Sequence, residues 1–144
     1  MKNKYGVSQK ICIAISWTLT VALMVTIFCL SSQVSSKSSG LSSGVISRIT
    51  ELFHITLTQH TVRKTAHALE YAALCFLFSC SWQSVFLKPQ HTLSFLSAAL
   101  YASSDELHQY FVSGRACQPR DILVDCLGAS FGLLTFFIIY TVYT

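Results

Sequence analysis

One stretch, Arg63-Lys64-Thr65-Ala66-His67-Ala68-Leu69-Glu70-Tyr71, sets four ionisable side chains at the head of an apolar run that continues through Cys75, Phe76, Leu77 and Phe78 to about Leu87. At helical spacing Arg63, His67 and Glu70 stand at i, i+4 and i+7 and share one face. A later run closes on Asp105-Glu106-x-His108-Gln109, where Asp105, His108, Gln109 and Val112 form one stripe. The last run opens on Asp121 and Asp125, and their stripe continues into Gly128 and Gly132. These residue types permit three kinds of chemistry. His67, Glu70, Asp105 and His108 are candidate catalytic groups, because a histidine beside carboxylates can move a proton near neutral pH. Arg63, Arg115 and Arg120 can hold an anionic head group, arginine being suited to bidentate phosphate recognition, and Lys64 joins Arg63 and Arg115 as a candidate ligand-binding residue. Glu106, Gln109, Asp121 and Asp125 complete the candidate ligand-binding set. Carboxylates and histidines together are also donors for a divalent metal, although neither a metal nor a cofactor is expected. The structural alternative is a buried ion-pair network that only joins helices.

A charge at the bilayer centre costs about 2.5–3.5 kcal/mol on the insertion scale, and less near the interface. The elements must therefore bring these groups to one another and to one membrane surface. Lys2, Lys4 and Lys10 precede an unbroken apolar run of about 20 residues, Ile11 to Leu30, enough to cross a hydrocarbon core. It is too long for the apolar part of a signal peptide, so it reads as a retained first helix. A second helix is expected over about 61–87, with the polar Thr58–Thr61 segment as its cap and Pro89 just beyond its end. The third covers about 92–112 and the fourth about 121–140, with Tyr140 and Tyr143 as an interfacial belt. Between the first and second helices lies a serine-rich linker from Ser31 to Gly44, then a segment with apolar residues at 45, 46, 49, 52 and 53, the spacing of an amphipathic helix on a membrane surface. The expected fold is all-α, an integral membrane four-helix bundle formed as a single domain over residues 1–144.

Up-and-down alternation of four helices places the head of the second, the tail of the third and the head of the fourth at one surface. Five of the six acidic residues then gather there, the exception being Glu51. The Gly128-x-x-x-Gly132 pair lets the fourth helix approach a neighbour closely. The lysines before the first helix favour a cytoplasmic N-terminus, and Lys88 agrees. This leaves the polar pocket at the outer leaflet and both termini inside.

Composition supports the membrane reading: 52% of residues are hydrophobic and only 11% charged, against about 25% in soluble domains. The net charge of +4 comes from scattered residues rather than a patch, which excludes nucleic acid as a partner. Of six cysteines, all but Cys117 lie in apolar runs and no Cys-x-x-Cys occurs, so they read as small apolar residues. Gly40-Leu41-Ser42-Ser43-Gly44 spells Gly-x-Ser-x-Gly, but it lies in the serine-rich linker and not at a strand-to-helix elbow, which weighs against a simple hydrolase. Inverted repeats and broken helices are absent too, which weighs against a typical secondary transporter.

Ser31-Ser32-Gln33, Arg63-Lys64-x-x-His67-x-x-Glu70-Tyr71, Asp105-Glu106-x-His108-Gln109-x-Phe111, Arg115, Asp121, Asp125, Gly128 and Gly132 together resemble the VanZ-like family of small bacterial membrane proteins, some linked to teicoplanin resistance. Asp125 departs from the family pattern, where asparagine is common, and Arg120 lies outside it. The resemblance implies a cell-envelope protein of the bacterial cytoplasmic membrane. It further implies an effect on glycopeptide susceptibility or the handling of lipid-linked wall precursors, with membrane lipids as expected partners. Two classes remain open: an enzyme acting on an amphiphilic, phosphate-bearing substrate, and a non-enzymatic binder, transporter or scaffold.

Overall fold

The computed structural model describes residues 6–32, 44, 58–112 and 119–143. Four α-helices run through it: α1 Val7–Ser31, α2 Gln59–Phe86, α3 His91–Tyr110 and α4 Pro119–Tyr143. No strand occurs among the described residues, and the fold is all-α. Most of the serine-rich linker and the whole of the expected amphipathic segment at 45–53 lie outside the described residues, as do Arg115 and Cys117.

Local chemistry accounts for the helix ends. The Thr58 side chain accepts from the Thr61 backbone N–H at 3.1 Å, the cap that its position before the apolar run predicts. At the other end of α2, Leu87 takes a left-handed conformation (φ 57°) and donates its N–H to the Gln83 carbonyl at 2.7 Å. The left-handed residue thus ends α2 before Pro89 is reached. α3 stops at Tyr110, where the N–H groups of Phe111 and Val112 turn back to the carbonyls of His108 and Gln109 at 3.0 Å each. α4 begins at Pro119, whose missing N–H costs nothing in a first turn, and Asp121 complements the positive end of that helix. α1 starts earlier than its apolar run because Gln9 anchors the polar first turn, donating to the Ser84 carbonyl at 3.0 Å.

Contacts between helices fix the topology. Thr20 meets Ser81, and Ser16 meets Ser84, so α1 and α2 are antiparallel. Ser31 meets Asp105, and Ser32 meets His108, so α1 and α3 run the same way. Lys64, Ala68 and Ala72 meet Asp121, Gly128 and Gly132 in step, so α2 and α4 are parallel. The result is an up-down-up-down bundle with α2 as its hub, packed against all three other helices. α1 and α4 flank the α2–α3 pair. Ile27, Tyr71, Leu74, Cys75, Phe78, Ala98, Ala102 and Ala129 form the core.

Two of these helices, α1 with a mean hydropathy of 2.3 and Arg120–Tyr143 of α4 with 2.2, are long and apolar enough to cross a membrane, and most of each faces outward. Ile11, Ile15, Leu19, Leu127, Phe131 and Leu134 stand exposed there, a surface suited to hydrocarbon rather than water. α2 and α3 have 28 and 20 residues, comparable in length. They are less apolar because they bury Ser79, Ser81, Ser94, Asp105, Glu106 and Gln109 inside the bundle.

Candidate functional site

The Gly128–Gly132 stripe makes the site possible. A Cβ added at Gly128 would run into the Ala68 carbonyl, and one added at Gly132 into the Ala72 carbonyl. The backbones of α2 and α4 therefore touch through two successive turns, as the small-x-x-x-small spacing predicts. That close approach sets the first turns of both helices side by side. Lys64 pairs with Asp121 there, each about a quarter exposed. One turn deeper, His67 Nδ1 lies 4.0 Å from Asp125 Oδ1, whose side chain is only 2% exposed. Asp125 is also within electrostatic reach of Glu106, Asp105, Asp121 and Glu70.

α1 and α3 build the opposite wall. Ser31 donates to Asp105 Oδ2 at 2.8 Å, and the Gln109 amide donates to the same oxygen at 3.0 Å, one turn along α3. The amide also reaches Ser31 Oγ at 3.3 Å, closing a three-membered network. Ser32 gives its proton to the Phe28 carbonyl at 2.6 Å, so its 3.1 Å contact with His108 is filled by Nε2–H donating to Ser32. The His108 ring stacks on Phe28 at 4.5 Å between centroids. His108 thus fastens the end of α1 to the end of α3, at the edge of the pocket.

Of the residues singled out in the sequence, His67, Glu70, Asp105, Glu106, Gln109, Asp121 and Asp125 converge at this end of the bundle. Asp105, Glu106, Gln109 and Asp125 are buried. Arg63 is half-buried and Arg120 exposed, the first more than a turn nearer its helix start than Glu70 and the second more than a turn nearer than Asp125. Arg115 lies outside the described residues. Among the described residues no group of three or more His, Cys, Asp or Glu is placed to hold a metal ion.

Two contributors were not singled out as site residues. Ser31, read as the start of a solvated linker, is fully inside and holds Asp105. Tyr71 is 0% exposed, and its hydroxyl faces Asp105 without a hydrogen bond of good geometry. Its position at i+4 from His67 on the polar stripe was the available signal. Asp105 Oδ1 and Asp125 Oδ2 are likewise buried without a hydrogen-bond partner.

Comparison with known families decides the relationship: the VanZ/LLP1 family profile matches residues 16–140, most of the chain. The chain belongs to the VanZ/LLP1 family. No curated protein and no solved structure matches it. With two outward-facing apolar helices, this VanZ/LLP1 chain is a membrane protein.

Proposed function

We propose that this VanZ/LLP1 protein is a multi-pass protein of the bacterial cytoplasmic membrane. It binds an amphiphilic, phosphate-bearing lipid or lipid-linked wall precursor at a polar mouth in the outer leaflet, and through it alters susceptibility to glycopeptides such as teicoplanin. Both termini lie in the cytoplasm, as the lysines at 2, 4 and 10 favour. The observation that carries the binding reading is the layering at one end of an otherwise apolar bundle. Cationic side chains, Arg63, Lys64 and Arg120, stand nearer the helix ends, and buried carboxylates, Asp105 and Asp125, stand about a turn deeper. An amphiphile's tails can lie along the exposed apolar faces of α1 and α4 while its phosphate meets the cations. A purely structural network is the second reading, favoured by the Lys64–Asp121 pair and the Ser31–Asp105–Gln109 triad.

The test pairs binding with phenotype. Native mass spectrometry of the protein released from membranes is expected to retain a phosphate-bearing lipid. A strain expressing His67→Gln with Glu70→Gln is expected to hold normal amounts in the membrane, by immunoblot, yet lose any effect on teicoplanin susceptibility, since amides neither titrate nor carry charge. A double variant that is abundant and fully active would leave the structural reading standing. Impermeant thiol labelling of a variant keeping only Cys117 checks the orientation, with labelling of intact cells expected.

A further inference from the structure

Three buried oxygens at the charged end make no hydrogen bond of good geometry: Asp105 Oδ1, Asp125 Oδ2 and the Tyr71 hydroxyl, which faces Asp105. They come from three different helices, and their side chains are 3%, 2% and 0% exposed. Tyr71 lies within electrostatic reach of both aspartates, so the three surround one region. The acid surplus is large, because Glu106, Asp121 and Glu70 also act on Asp125. Of the basic groups here, Lys64 is paired with Asp121 at the edge and His67 stands 4.0 Å from Asp125. The Tyr71 O–H faces Asp105 as a donor, but buried carboxylate oxygens short of donors are expensive, so this geometry is matched to a group that brings both positive charge and N–H donors. A primary ammonium supplies three donors in a compact head. A quaternary ammonium supplies none.

We propose that this charged end of the bundle binds the primary ammonium of an amphiphile's head group, held by Asp105, Asp125 and Tyr71. The proposal rests on the reading that a phosphate-bearing amphiphile is bound, and narrows it to a zwitterion. The phosphate meets Arg63 nearer the helix start, while the amine reaches the deeper carboxylates. The Ser31 and Gln109 donors fix the Asp105 carboxylate by its other oxygen, so Oδ1 is presented in a set direction. The Gly128 and Gly132 contacts hold Asp125 equally firmly, through the backbone of α4.

The experiment uses the full chain in nanodiscs made from equal parts phosphatidylethanolamine and phosphatidylglycerol, with retained lipid counted by native mass spectrometry. In a second set phosphatidylcholine replaces phosphatidylethanolamine. Wild type is expected to enrich phosphatidylethanolamine roughly tenfold over phosphatidylglycerol, the scale of a charge-assisted hydrogen bond, and to show no such preference for phosphatidylcholine. Asp125→Asn and Asp105→Asn are expected to return the retained lipid to the bulk ratio while phosphatidylglycerol is still held. Tyr71→Phe removes one acceptor without changing charge and is expected to lower the enrichment partway, which keeps the test open should an aspartate variant misfold. Retention at the bulk ratio by wild type, equal enrichment of phosphatidylcholine, or undiminished enrichment in the folded variants overturns the ammonium proposal alone. Retention of no phospholipid in any mixture overturns the phosphate-amphiphile reading and this proposal with it.

Discussion

Where α1 begins and α2 ends, the bundle is joined by hydroxyls and rings; where α1 ends and α2 begins, it is joined by charges. At the first end Thr20 meets Ser81 at 2.9 Å, Ser16 meets Ser84 at 3.3 Å, and the Trp82 indole donates to Ser97 at 3.2 Å. These hydroxyls also lean on their own helices: Thr20 donates to the Ser16 carbonyl, Ser84 to that of Ser81, Ser97 to that of Leu93. Trp17 packs edge-on against Trp82 at 5.0 Å and Phe78 at 6.3 Å. α4 stands off from α2 there on the rings of Phe76 and Phe136, with His91 edge-on to Phe136 and Phe137. At the charged end α4 instead meets α2 backbone to backbone, and buried acceptors remain without donors. A neutral hydroxyl can satisfy itself within one helix; a buried carboxylate cannot. The first end is therefore complete as a scaffold, whereas the second, on the reading proposed above, has unused binding capacity.

The largest effect is expected where that contrast is built into the backbone. Gly132→Val forces two methyl groups and a Cβ against the Ala72 carbonyl, which belongs to a helix and cannot move aside. Overpacking of this kind costs about 1–3 kcal/mol and sometimes more. Thermal unfolding in detergent should show Gly132→Val and Gly128→Val as the least stable variants of the set, with lowered membrane abundance. A value near wild type for both would mean that α4 does not need the close approach to bring its aspartates to α2.

Next in size is Asp105. Asp105→Ala removes the acceptor used by Ser31 and Gln109, leaving buried donors unmet at a cost of about 1–3 kcal/mol. Asp105→Asn keeps an acceptor oxygen and removes the negative charge, so its stability should equal or exceed that of wild type while binding is lost. Melting temperatures of the two variants side by side read this directly. If Asp105→Asn unfolds as readily as Asp105→Ala, the carboxylate is structural and the contrast between the ends weakens.

Much of this was legible beforehand. Runs of apolar residues gave all four helices, and their alternation gave the shared surface for Arg63, His67, Glu70, Asp105, Asp121 and Asp125. Gly128 and Gly132 announced the close seam by their spacing alone. Boundaries were less legible because polar turns joined to a helix by tertiary bonds, such as the one holding Gln9 to Ser84, break the hydropathy pattern. Ser31 was hidden for a related reason: a serine at the end of an apolar run has the same composition whether it starts a linker or faces a buried aspartate. Tyr71 was hidden by its amphipathic side chain, at home in a core or a pocket.

A smaller effect is expected from Lys64 and Asp121, the ion pair at the edge. Both are partly exposed, and exposed pairs contribute about 0.2–1 kcal/mol. A double-mutant cycle with Lys64→Met and Asp121→Asn should give a coupling in that range that shrinks as salt is raised from low to high. A coupling of several kcal/mol, insensitive to salt, would show the pair to be desolvated and would move it from the edge of the pocket into its structural frame.

The smallest effect belongs to the hydroxyl end, at Thr20 and Ser81. Both are fully buried, so burial alone would rank them beside Asp105. Their chemistry predicts otherwise. Thr20 gives its proton to the Ser16 carbonyl and so takes one from Ser81. Thr20→Val keeps the shape and strands only the Ser81 proton, which can swing to a carbonyl in the preceding turn of α2. Polar contacts between membrane helices average about 0.6 kcal/mol in double-mutant cycles. Thr20→Val and Ser81→Ala, singly and together, should show a coupling near that value by thermal unfolding, with lipid retention unchanged. A penalty for Thr20→Val as large as that for Asp105→Ala would mean that the hydroxyl end is no more self-sufficient than the charged one. Unused binding capacity could then no longer be read from the difference between them.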